Sequence, residues 1–231
     1  MKIPTYLAMT AAEFSACPSL PLYTAWMACH FSPYGTDLTN LPKKLPENAL
    51  IIINDRTPIY RHDCEQIAVQ LSDLIHQFHP LGVLLDFQDS QNTALHALAK
   101  NLVAALPCPV CLPEAYAQEL DCPVFVSAPP VHKHLSEHLS PWEGREIWLE
   151  AALEASQITV MPTNSDTVNI PHPTQDHGFF DDKLFCHYIT EVSDDAIRFT
   201  LWRTKEDLGR LLDAGSELGV TRAVGLWQEL G

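Results

Sequence analysis

Positive charge is scarce in this chain. Its 231 residues include 14 Lys and Arg against 29 Asp and Glu, a formal charge of −15 at pH 7. A surface of that sign repels phosphate backbones and anionic lipid heads, and no basic cluster offers a local exception, so nucleic acid is excluded as a partner. Long apolar runs are absent too. Nothing approaches the roughly 18 apolar residues of a membrane span, and the start, MKIPTYLAMTAAEFSACPSL, is interrupted by Thr, Glu13 and Ser where a secretory signal needs an unbroken apolar stretch. The expectation is a cytoplasmic protein that does not enter a membrane. No GxGxxG or GxxxxGK[ST] follows any apolar run, which removes the usual dinucleotide and nucleoside-triphosphate readings, and no cofactor is expected. Gly/Ser linkers, internal repeats and low-complexity blocks are missing as well, so residues 1–231 are read as one domain.

The cysteines are present but unorganised. Seven is an odd number, and most sit inside apolar runs such as AWMACHF and KLFCHY, the usage of buried thiols in a reducing compartment. The pair in CPVC, Cys108 and Cys111, lies in a Pro-flanked strand-like run. It is not at a helix start, where a redox couple has its thiol pKa lowered, and no second pair follows at zinc spacing. Two strand cysteines are the expectation. The eleven histidines include His132, His134 and His138 in HKHLSEH and His172 and His177 in HPTQDHGFFDD, the latter followed by Asp181 and Asp182. HEXXH is absent and both stretches read as exposed, Pro-flanked loops, so no metal site is assigned.

What the chain does have is alternation. Short apolar runs that predict strands (22–31, 49–55, 81–87, 108–112, 122–127, 157–162 and 220–227) are interleaved with stretches of helical spacing. Asp63 can cap a helix over 64–78, whose Ile67, Leu71, Leu74, Ile75 and Phe78 share one face. A second helix over 93–106 ends at Pro107, PEAYAQEL allows only a brief one, and a last helix over 204–219 has Thr204 as cap and Gly219 as stop. Residues 145–153 fit strand or helix. KLFCHYITEV and AIRFTLWR, joined by SDD, predict a hairpin. Near-continuous apolar strands such as IIIN and GVLL imply burial on both faces and hence a parallel sheet. About eight strands in this length predict a compact, irregular (β/α)8 TIM-like barrel, an α/β fold with shortened helices and a late β-hairpin. An open doubly wound sheet is the alternative.

The run LGVLLDFQ, residues 81–88, resembles the chitinase-type glycoside hydrolase strand DGxDxDxE, found on the fourth strand of that family's barrel. Gly82 matches its Gly, Asp86 its last Asp and Phe87 the aromatic residue before the acid. Leu81 and Leu84 stand at the other two Asp positions, and Gln88 stands at the catalytic acid. The closing AVGLWQE is similar to the family's last strand, with Trp227 at the position of the Trp that floors a sugar subsite. The resemblance covers two strands. It implies a sugar site at the C-terminal strand ends that lacks the family's acid, since Gln cannot give up a proton as Glu does but can still hydrogen-bond a hydroxyl.

Functional groups of a barrel gather at those strand ends, which gives the remaining candidates. Asp86 leads, because a carboxylate ending so apolar a strand is costly to bury without a partner or a purpose. Ordinary glycoside hydrolysis needs two carboxylates, and Glu114 and Glu150 are the candidate partners. His30, Asp55, Arg56, Gln88, Trp202 and Trp227 are candidate substrate-binding residues. Each also has a structural reading: Asp55 and Arg56 as loop caps, His30 as an interior hydrogen-bonded His, the two tryptophans as core. The expected partner is a saccharide or similar small molecule, either cleaved or only bound. A non-glycosidic barrel enzyme is a third reading.

Overall fold

The computed structural model describes residues 2–56, 63–173 and 177–231. Eight parallel strands form its centre: β1 (Thr5–Met9), β2 (Thr24–Phe31), β3 (Leu50–Asn54), β4 (Gly82–Asp86), β5 (Val110–Pro113), β6 (Val124–Val126), β7 (Ile147–Glu150) and β8 (Val220–Leu226). Each pairs with the next, and β1 pairs with both β2 and β8 (Leu7 opposite Thr24, Thr5 opposite Ala223). The ring is therefore closed, and the open-sheet alternative fails. Residues 38–39 add a short antiparallel edge to β2.

The barrel has a first strand that the alternation pattern missed. β1, TYLAM, was not read as a strand from the sequence, and it moves every later strand up by one. LGVLLD is thus the fourth strand of the ring, not the third. Residues 145–153 resolve as strand, which puts Glu150 at a barrel strand end. Two other expected strand ends are corrected. QITVMP and AIRFTLWR do not belong to the barrel, so Trp202 is not a barrel strand-end residue. They lie in a five-stranded antiparallel sheet inserted between β7 and β8, with strands in the order 165–169, 155–160, 197–202, 186–192, 179–181. The expected hairpin is present within it, Val192 facing Ile197 across the turn.

Strand alternation explains the two-sided burial. Tyr6, Ala8, Ala25, Leu50, Ile52, Leu84, Cys111, Trp148 and Val224 form one cluster inside the ring. Ile51, Ile53, Val83 and Leu85 point the other way and join the larger layer under the helices. That outer layer receives Ile67, Leu71, Leu74 and Ile75 of α2 (Cys64–Phe78), Leu95, Leu98 and Leu102 of α3 (Thr93–Ala105), and Leu208, Leu211 and Leu212 of α6 (Lys205–Gly215). α1 (Ala11–Ala16), α4 (Glu114–Ala117), α5 (Leu135–Leu139) and α7 (Trp227–Leu230) are short. Among the described residues no helix is long and apolar enough to cross a membrane.

Candidate functional site at the barrel mouth

β4 places the site. Leu84 is in the interior cluster, so Asp86, two residues on, points the same way at the C-terminal end of the ring. There it lines a cavity of about 120 Å³ with Ile52, Leu84, Phe125, Glu150 and Glu229 among its walls. Gln88 donates its side-chain amide to Asp86 Oδ1 at 2.6 Å. Burial, the largest influence, holds the Asp86 carboxyl above the usual carboxylate range; the Gln88 amide opposes this, Asp55 adds to it and Arg56 opposes it.

Asp55 follows β3 directly and works on the loop after β4. One of its oxygens accepts the backbone N–H groups of Gln88 (2.9 Å) and Asp89 (3.0 Å). It thus fixes the backbone that carries Gln88, the loop-cap role its residue type suggested. Glu150, at the end of β7, accepts the N–H of Ala128 at 3.0 Å. Glu229, in α7, accepts the N–H of Leu153.

Apart from Arg56, the other candidates lie away from this group. Glu114 starts α4, accepts Trp142 Nε1 at 2.9 Å and Ser127 Oγ at 3.4 Å, and does not line the cavity. The ring Nδ1 of His30 is 3.1 Å from the Ala28 carbonyl oxygen. Arg56 is exposed beside Asp86. Trp202 is 2 % exposed and stacks on His187, centroids 5.8 Å apart. Trp227 is half-buried at the start of α7 and packs against the layer outside the ring. The structure thus brings together Asp86, Gln88, Asp55 and Glu150.

Two further residues line the mouth, Glu229 and Phe125. Glu229 lay within the sequence signal, an acid just past the last strand, but its hydrogen bond spans 76 residues of chain. Phe125 turns into the cavity because Val124 and Val126 turn out, a parity that three residues of strand cannot announce. Among the described residues no group of His, Cys, Asp and Glu is placed to hold a metal ion. Cys111 is wholly buried with its thiol pushed far above its usual value by burial, and Cys108 is pushed up to about 11 for the same reason. Only Cys111 is a strand cysteine, in β5; Cys108 lies in a bend just before that strand, which corrects the expectation that both are on it.

No known protein family's sequence profile matches this chain, and neither does any curated protein sequence. Solved structures do. The Bacillus cereus spore cortex-lytic enzyme SleL superposes with a TM-score of 0.58 over 99% of this chain and 71% of its own, at 10% identity. The chitinase-like agglutinin RobpsCRA from Robinia pseudoacacia gives 0.58 over 95% and 93%, at 12% identity. A GH18 chitinase from Cycas revoluta, a mutant form in complex with (GlcNAc)4, gives 0.56 over 97% and 94%, also at 12%. At such identities the likeness concerns the fold: this chain has the barrel fold of the GH18 chitinases.

Proposed function

We propose that the protein recognises a saccharide at the barrel mouth and does not cleave it by the chitinase-type mechanism. The observation that carries this reading is the Gln88–Asp86 hydrogen bond at the end of the fourth strand. If LGVLLDFQ is laid over DGxDxDxE, the last Asp and the residue two positions on keep their partnership, but the partner is an amide. An amide has no proton to transfer to a glycosidic oxygen, whereas its carbonyl oxygen and remaining N–H can still bond sugar hydroxyls. Leu84, at an Asp position of the pattern, is 1% exposed in the interior cluster, so no neighbouring acid substitutes there. Asp55 supports the arrangement by holding the Gln88 backbone, as preorganised binding requires. The fold likeness fits either outcome, since an agglutinin and enzymes share it.

A second reading has one observation in its favour: Asp86 and Glu150 line the same cavity, and two carboxylates are what ordinary glycoside hydrolysis uses. Calorimetric titration with chito-oligosaccharides, followed by chromatography of the incubated mixture, separates the two readings. The expected result is binding, lost in Asp86→Asn, with the oligosaccharide recovered intact. Shortened products that disappear in both Asp86→Asn and Glu150→Gln would establish hydrolysis instead. Absence of binding by the native protein would remove the saccharide reading.

A further inference from the structure

Three side chains lining the mouth cavity are carboxylates: Asp86, Glu150 and Glu229. The rest of its lining is apolar, with Leu84, Ile52 and Phe125 among it, and no Lys, Arg or His of the described residues takes part. Each carboxylate receives one hydrogen bond from the described residues, from the Gln88 amide, the Ala128 N–H and the Leu153 N–H respectively. An ionised carboxylate has about four acceptor positions, so each retains capacity toward a ligand. Glu154 stands beside them, half-buried, its carboxyl raised by burial first and by Glu150 next, with Arg203 opposing and Glu229 adding. Two cations lie near, Arg203 lowering the Glu154 carboxyl and Arg56 that of Asp86, but among the described residues neither gives the group a hydrogen bond. Arg203 is 1% exposed and donates to the carbonyl oxygens of Pro129, Pro130 and Leu184, and Arg56 lies exposed in solvent. A cavity of about 120 Å³ is also well below the roughly 300–1,000 Å³ of a pocket for a whole small molecule, so it takes one substituent of a sugar ring that rests above it.

Resting on the saccharide reading above, we infer that this mouth selects a sugar bearing a free, protonated amine, a glucosamine unit, over the N-acetylated sugar. An ammonium group brings three donors and a positive charge to a place with surplus acceptors and surplus negative charge. An acetamido group brings one donor and a carbonyl oxygen that would face carboxylate lone pairs, leaving polar groups unmatched at a partly dehydrated site. The cation also favours the ionised form of Asp86, whose carboxyl burial holds above the usual range. No bond is made or broken in this step; it is recognition by charge and hydrogen-bond complementarity.

The test is calorimetric titration of the full chain with three tetramers: glucosamine, N-acetylglucosamine and, as an uncharged control, glucose. It is run at about 150 mM salt so that long-range attraction to an acidic surface is screened. Glu150→Gln removes one charge at the mouth. Glu217→Gln removes one from an exposed turn just before β8, at the other end of that strand from the mouth, as a control for net charge. The expected result is at least tenfold tighter binding of the glucosamine tetramer than of the N-acetylated one, a preference that falls several-fold in Glu150→Gln and is unchanged in Glu217→Gln. If Glu150→Gln does not fold, judged by circular dichroism, Glu229→Gln carries the same comparison. Equal or tighter binding of the N-acetylated tetramer, or an equal loss in Glu217→Gln, would overturn the amine preference and leave the saccharide reading intact. Failure of all three sugars to bind would overturn both.

Discussion

At Asp86 a single side chain carries both a cost to the fold and the proposed function, and the two can be separated by experiment. Because burial holds its folded-state carboxyl above the usual range, the folded chain keeps this proton more tightly than the unfolded chain does. The group's contribution to stability is therefore full at low pH and is lost as pH rises through the folded-state value. Asn at this position accepts the Gln88 amide without carrying the charge. Asp86→Asn is accordingly expected to melt at or slightly above the native temperature at about pH 7, with the difference closing near pH 3, below the unfolded-state value. It should bind no saccharide at either pH. A clear loss of melting temperature at neutral pH would make Asp86 a structural group. Gly82, four residues earlier on the same inward parity, tests the packing below the site. A Cβ there would meet the Pro109 carbonyl oxygen at 2.8 Å and the Trp148 ring at 2.9 Å, and Trp148 fills the ring's interior. Gly82→Ala should cost about 1–3 kcal/mol as an overpacking change, read by denaturant unfolding; a neutral substitution would mean the interior is looser than described. Asp86 was legible in the sequence because a charge breaks an apolar strand. Glu114 looked equivalent there, and only Trp142, 28 residues away, shows where its oxygen is directed.

At the scale of elements, periodicity read the helices well and the insertion poorly. α6 was marked by Thr204 as its cap and an apolar stripe. The structure adds a capping box in which Thr204 Oγ1 accepts the Asp207 N–H and the Asp207 carboxylate accepts the Thr204 N–H. Thr204→Ala is expected to cost roughly 0.5–2 kcal/mol, measured by chemical denaturation, and a change within error would show the cap to be redundant. The hairpin over 186–202 was legible because both arms are rich in β-branched and aromatic residues around a polar turn. Strands 165–169 and 179–181 were not. The first is SDTVN, exposed at every position, and the second is three residues long. Neither carries the apolar alternation on which a strand assignment depends, so both exist through pairing with neighbours. The strand 155–160 has the composition of a barrel strand, and only its antiparallel partners place it outside the ring.

For the whole molecule, sequence alone predicted a ring of parallel strands from their two-sided apolarity, but closure is a long-range fact. It depends on β1 meeting β2 and β8 at once, and β1 was the strand that the alternation pattern missed. The inserted sheet is tied to the barrel at several points. His187 Nδ1 lies 2.8 Å from Asp207 Oδ2, the Glu154 backbone carbonyl accepts the Arg203 N–H at 3.0 Å, and the Arg203 guanidinium bonds the Pro129 and Pro130 carbonyl oxygens. We therefore predict one calorimetric unfolding transition for barrel and insertion together; two resolved transitions would divide the chain into separately stable parts. The proposed saccharide recognition turns on what the upper rim of the ring holds. A crystal structure of the protein grown with an amino-sugar oligosaccharide tests that most directly. It should show an unbroken chain of sugars seated over the cavity, with a ring substituent within hydrogen-bonding reach of Asp86 and Gln88. Density for a cleaved product there, or for the oligosaccharide only on the outer wall beneath the helices, would contradict it.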